Sequence, residues 1–194
     1  MNMIPESLNV LIRNRRSTFP DQFQVGKQVS DDIIKEILIN ATWAPNHGRE
    51  EPWHFTVFSG DGLQKFADWQ SELYKQTTPD NFKEITFNKL KEQPLKASHI
   101  IALGMKKSAN KGIPEVEDVA AVSCAVQNIY LSVTAYGLGG YWTTGGITYR
   151  PQAKQFFGLS EADKLLGFFY IGHIAIPSTG ATRKPMEEKV NWIK

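Results

Sequence analysis

The segment from Pro114 to Tyr136 constrains this chain most, because it reads as one unbroken helix that is small or apolar over much of its circumference. Ala120, Ala121, Cys124, Ala125, Ile129, Leu131 and Ala135 fall on more than one face at the helical period, and Asn128 and Ser132 add only short polar groups. A helix of that kind does not suit an ordinary surface position. It runs through the centre of a domain or is shared between subunits. Gly137 stops it as a C-terminal cap. Cys124 lies among the small residues, where buried packing is expected rather than a nucleophile.

Other elements arrange themselves around this helix. Pro5 opens a first helix with Leu8, Leu11 and Ile12 on one face, ending at Arg13-Asn14-Arg15-Arg16-Ser17. Ser30 is a good N-cap for a second, whose stripe is Ile33, Ile34, Ile37, Leu38 and Ala41. Strands are expected at His54–Phe58, His99–Leu103 and Leu166–Ala175, with a helix over Leu63–Tyr74 and a short one over Pro151–Phe157. Residues Thr77 to Gln93 are polar and mixed, and read as a mobile or lid-like stretch. After Pro177 no periodic signal remains, so that tail is expected to be disordered unless it docks on something, for instance a dimer partner. The whole reads as α+β, one domain over 1–194 with 177–194 as an extended tail.

Composition narrows the function classes. A net charge of +2 gives no basic field that calls for nucleic acid, and 41% hydrophobic residues suit a folded domain of 194 residues. The single cysteine excludes an intrachain disulfide and fits a reducing, cytoplasmic setting. No apolar run is long enough for a membrane span, and Arg13 to Arg16 interrupt any signal-peptide pattern.

Three passages carry candidate chemistry. Arg13-Asn14-Arg15-Arg16-Ser17 places guanidinium forks and a hydroxyl at a helix end, which suits phosphate. As residues alone, the run is also an ordinary solvated surface. Trp43-Ala44-Pro45-Asn46-His47, followed by Pro52-Trp53-His54-Phe55, is dense in aromatic rings and imidazoles. Its plain reading is a core with satisfied histidines, and the His47/His54 spacing alone is a weak metal signal. Gly139-Gly140-Tyr141-Trp142-Thr143-Thr144-Gly145-Gly146 lets backbone approach a ligand closely and offers an indole face and two hydroxyls; a structural turn accounts for it equally. It is neither a Walker loop nor a dinucleotide fingerprint, and no hydrolase elbow is present.

In order and spacing these passages resemble the nitroreductase superfamily, especially its compact members, over about residues 5–177. The motifs are "IRNRRSTF", "ATWAPNHGREEPWHF" and "YGLGGYWTTG". The resemblance implies a nitroreductase-like fold: a central, mostly antiparallel sheet flanked by helices, with the long helix and the C-terminal tail in a homodimer interface. It implies FMN held by Arg15, Arg16 and Ser17, by Trp142, Thr143 and Thr144 along the ring, and by Arg183 of the tail. Trp43 and His47 would reach the flavin bound mainly by the partner. It further implies NADH or NADPH as electron donor, a nitroaromatic or quinone-type acceptor, and ping-pong kinetics. No catalytic side chain, metal, nucleic acid or membrane is implied. Flavin binding without turnover, dehalogenation and flavin fragmentation are the alternatives on the same frame. The family often has a basic residue two positions after the serine; here that position is Phe19, and an aromatic before Pro20 is expected to anchor a loop in the core.

Overall fold

A computed structural model describes residues 4–110 and 112–194. The helices are α1 (Pro5–Asn14), α2 (Asp31–Thr42), α3 (Asp61–Thr77), α4 (Glu84–Glu92), α5 (Glu115–Ala135) and α6 (Pro151–Phe156). The strands are β1 (Trp53–Ser59), β2 (His99–Met105), β3 (Leu138–Thr143) and β4 (Lys164–His173). They form one sheet in the order β1-β2-β4-β3, with every neighbouring pair antiparallel.

The central strands are buried on both faces, so they read as continuous apolar runs rather than alternating ones. Ile100, Ala102, Phe168 and Tyr170 face one half of the core with Phe66 and Leu73 of α3. Ile101, Leu103, Phe169 and Ile171 face the other half with Ile34 and Ile37 of α2 and Ala125 and Ile129 of α5. Alternation slips once on β4, at a register shift opposite Ala102 and Gly104. Gly167 takes φ +122° there, and a Cβ on it would lie 2.3 Å from the Thr143 carbonyl oxygen. That position therefore tolerates only glycine.

Local signals explain the helix ends. The Ser30 hydroxyl accepts from the Ile33 amide at 3.5 Å, the expected cap of α2. Gly137 takes φ +69° just beyond α5.

Several expectations need correction. Cys124 is exposed, because α5 turns Ala121, Val122, Ala125, Val126, Ile129 and Val133 inward and the cysteine falls off that stripe. Within one chain, α5 thus buries one broad face and leaves Ala120, Cys124, Gln127 and Ala135 open. Residues 77–93, read as a mobile or lid-like stretch, contain a helix that the sequence pattern did not show: α4, whose Phe87 and Leu90 pack on the core one helical turn apart. No residue of α1 is fully buried: the helix touches α5 through one side, with Leu11 half-buried, and leaves Leu8 and Ile12 exposed. The tail docks only at its start, where the Ala175 and Ile176 amides donate to the Gln22 carbonyl and the Ser178 hydroxyl donates to the Ser17 carbonyl. From residue 179 onward it is exposed. Trp53 packs partly against the core, whereas Trp43 is 82% exposed and does not join it.

Candidate active site

Three cavities are linked through shared lining residues. The first, of about 610 Å³, is lined by Ile12, Arg13, Arg15, Arg16, Gln127, Ala181 and Arg183. Sequence-distant arginines, from the end of α1 and from the tail, meet there. None of the four guanidinium groups has a carboxylate within 4 Å among the described residues. Clustered like charges without counter-charges are costly, and an anionic ligand would relieve them.

Each arginine is held differently. Arg15 lies over the Tyr130 ring, its guanidinium carbon 4.7 Å from the centroid. Arg16 donates one nitrogen to the Arg13 carbonyl at 2.6 Å and the Arg15 carbonyl at 3.0 Å, which closes the negative end of α1. Among the described residues, Arg183 donates only to the neighbouring Thr182 carbonyl.

The second cavity, of about 590 Å³, shares Arg16 with the first and adds Ser17, Phe19, Gln22 and the tail residues 176–180. Apart from Arg16 its lining is uncharged, and Ser17, Ser178 and Thr179 bring hydroxyls to it. Ser17 is fixed from two sides. The Thr18 amide donates to the Gly140 carbonyl at 2.9 Å, and the Ser17 hydroxyl is 3.2 Å from the Tyr130 hydroxyl. That same Tyr130 oxygen accepts the Trp142 amide at 2.9 Å. Tyr130 therefore ties the arginine run, the serine and β3 to one point on α5. Sequence reading missed it, because a tyrosine inside an apolar helix carries no motif.

The third cavity, of about 350 Å³, shares Phe19 with the second. Its walls are Phe19, Tyr141, Thr143, Phe168 and Tyr170, with Gln70 from α3, Lys89 and Leu90 from α4, and the backbone of Gly145 and Gly146. Burial pushes the Tyr170 hydroxyl well above its usual range. Phe19 is 51% exposed and packs on Tyr141 with ring centroids 4.7 Å apart. It is a wall of the site rather than the core anchor expected.

The glycine-rich passage divides in two. Side chains placed on Gly139 and Gly140 would strike Thr18 and Phe23, and Phe169, so these glycines serve packing and not a ligand. Gly145 has open space around it and lies in the cavity wall. Strand alternation sends Trp142 to the opposite face from Tyr141 and Thr143. Its indole nitrogen donates to the Leu166 carbonyl at 2.9 Å, and its half-buried ring packs against the core on the side of α2 and α5. Thr143 lines the third cavity, and Thr144 is exposed beside it.

Trp43 and His47 border none of the three cavities. His47 Nδ1 is 2.6 Å from Glu117 Oε2 near the start of α5, and both residues are on the surface. Among the described residues, no group of three or more His, Cys, Asp or Glu is placed to hold a metal ion. No helix among them is long and apolar enough to cross a membrane.

Comparisons with known proteins give the family and the fold. The Nitroreductase family matches residues 12–173. YdjA of Escherichia coli, provisionally named an NAD(P)H nitroreductase, is 31% identical over 169 residues, covering 86% of this chain and 87% of its own. YfhC of Bacillus subtilis, with the same provisional name, is 28% identical, covering 86% of this chain and 84% of its own. A nitroreductase-like family protein from Bacillus cereus has a TM-score of 0.81 at 29% identity, covering 100% of this chain and 98% of its own. A nitroreductase-type protein from Desulfovibrio desulfuricans, solved with FMN, shares the fold at TM-score 0.69 and 23% identity, covering 97% of this chain and 96% of its own.

Proposed function

This chain belongs to the nitroreductase family, and from that premise we propose that it binds FMN along the three joined cavities and works as an NAD(P)H-dependent oxidoreductase. One observation carries the reading: the cavities share Arg16 and Phe19 and run from cationic, through hydroxyl-rich, to aromatic. That sequence matches the phosphate, ribityl chain and ring system of FMN.

Arg15, Arg16 and Arg183 would hold the phosphate, which carries close to two negative charges at neutral pH. Ser17 would meet the phosphate or the chain that follows it. Thr143 and the backbone of Gly145 and Gly146 lie along the ring cavity, with Trp142 bracing that strand from behind and Thr144 at its open edge. When bound, FMN supplies acceptance of a hydride from NADH or NADPH and its delivery to a nitroaromatic or quinone-type acceptor. The protein's part is to orient the two reactants in turn and exclude water. A single ring cavity serves both, so the kinetics are ping-pong.

A homodimer completes the reading. The exposed apolar residues Leu8 and Ile12 of α1, the open small residues of α5 and an exposed tail with Trp192 75% and Ile193 98% accessible are surfaces that association would cover. In such a dimer Trp43 and His47 approach the partner's ring cavity. The lone cysteine supports a reducing, cytoplasmic setting.

Purified protein is expected to be yellow and to bleach on anaerobic addition of NADH or NADPH, with colour restored by an acceptor. Yellow protein that neither nicotinamide bleaches would make it a flavin binder without this activity. Protein that takes up no FMN would end the proposal.

A further inference from the structure

The third cavity lacks a basic residue on the Phe19 loop, yet it is not without positive charge. Among the described residues, Lys89, on α4, is the one cation in its wall, and Asp21 is the one anion. Asp21 is already engaged: one of its oxygens lies 2.5 Å from Lys96 Nζ and accepts the Gln93 amide at 3.0 Å. Lys89 has no carboxylate within 4 Å among the described residues.

Lys89 is also delivered to the cavity by a fixed support. The next residue, Leu90, accepts the Gln70 amide on its carbonyl at 2.5 Å, and its side chain packs against the core. A Cβ on Gly146 would come within 3.3 Å of that leucine, so α4 sits directly on the glycine turn of the cavity. The helix is thereby fastened one residue from the lysine.

We infer that Lys89 supplies the positive charge facing the polar edge of the flavin ring, in place of a basic residue at Phe19, and so favours the reduced, anionic ring over the oxidised neutral one. This rests on the FMN reading above. An ammonium group near a developing negative charge stabilises it, by an amount set by distance and exposure. Lys89 is exposed while the cavity is open to water, so the effect is moderate and acts on the reduced form alone. The division of labour is specific: arginines set how tightly FMN is held, and Lys89 sets how strongly it is reduced.

The test titrates FMN onto apoprotein and then measures the midpoint potential of the bound flavin, for the native chain, K89Q, K89R and K91Q. Lys91 is exposed on the same helix but borders none of the three cavities. K89Q is expected to bind oxidised FMN within about threefold of the native protein. Its preference for reduced over oxidised flavin should fall about threefold to tenfold, the upper end being a drop of about 30 mV for a two-electron couple. K89R should restore most of the potential, and K91Q should leave it unchanged. An unchanged potential in K89Q, or an equal drop in K91Q, overturns the assignment of Lys89 while leaving the FMN site standing. Failure of the native chain to bind FMN overturns both.

Discussion

The two ends of the candidate site are built in opposite ways. The aromatic end is walled largely by the scaffold: Tyr141 and Thr143 on β3, Phe168 and Tyr170 on β4, and Gln70 on α3. The arginine end is assembled from the last turn of an unburied helix and an exposed tail, with Tyr130 as its one buried anchor. One end is shaped by folding itself; the other needs its ligand to neutralise it. A site made this way gains specificity for a flat ring from rigid packing and affinity from charge. Damage to the two ends should accordingly look different: lost stability at one, lost affinity at the other.

The largest effect should come from Gly167→Ala. Its Cβ would overlap the Thr143 carbonyl and approach the Trp142 indole nitrogen at 2.8 Å, on a backbone with φ +122°. The cost is on the order of 2–4 kcal/mol, read as a lower melting temperature or urea midpoint. Because β3 carries Thr143, flavin binding falls with the fold. Retained stability would show that the aromatic end is less tied to the core than argued.

Arg15→Ala should do the reverse, leaving melting nearly unchanged and weakening FMN binding about ten- to a hundredfold. Arg183→Ala should weaken it by less than about tenfold, since among the described residues that side chain has only a tail carbonyl as partner. Fluorescence titration ranks them. An equal or larger loss at Arg183 would mean that the tail, not Tyr130, organises the phosphate end.

Acid separates scaffold from site in another way. Burial works against ionisation of Asp118, but hydrogen bonds from Ser108 and Lys107 outweigh it and hold the carboxyl below its usual 3.8. Burial likewise opposes ionisation of Asp163, and the Lys107 and Ser160 amides outweigh it. A depressed folded value contributes stability that is complete above the unfolded value and lost as pH falls through the folded one. Melting temperature should therefore be flat above about pH 5 and drop below the usual carboxylate range. Asp118→Asn should be less stable at neutral pH and less sensitive to that drop. Equal acid sensitivity in the variant would remove Asp118 from the explanation.

Much of the scaffold was legible because its signals are local. The period of α2, the Ser30 cap and the apolar runs of β2 and β4 each require only neighbouring residues. The misplaced residues depended on what lies across from them. Cys124 looks buried by composition and is exposed by helical phase. Trp142 looks like a ligand face beside Tyr141 and Thr143 until strand alternation turns it to the side of α2 and α5. α4 was hidden because its two anchors, Phe87 and Leu90, are diluted among polar residues. The arginine run showed itself as a motif, whereas its union with Arg183 and its support on Tyr130 join positions more than a hundred residues apart.

The smallest stability effect should be at Trp43. At 82% exposure its loss should change the folding stability of a chain by no more than about 0.5 kcal/mol. If it reaches the partner's ring cavity, Trp43→Ala should still weaken FMN binding or acceptor turnover. A variant normal in both would leave the indole without a role in the site.

The central claim, that the arginine and aromatic cavities form one binding site, is tested most directly by titrating apoprotein with FMN and with riboflavin, which lacks the phosphate. Both ends acting together predict that FMN binds at least about a hundredfold more tightly, as expected for two or more charge-assisted contacts to phosphate. Riboflavin should still bind measurably and be displaced by FMN. Equal affinity for the two flavins would contradict the account, because the arginine cavity would then take no part in holding the ligand.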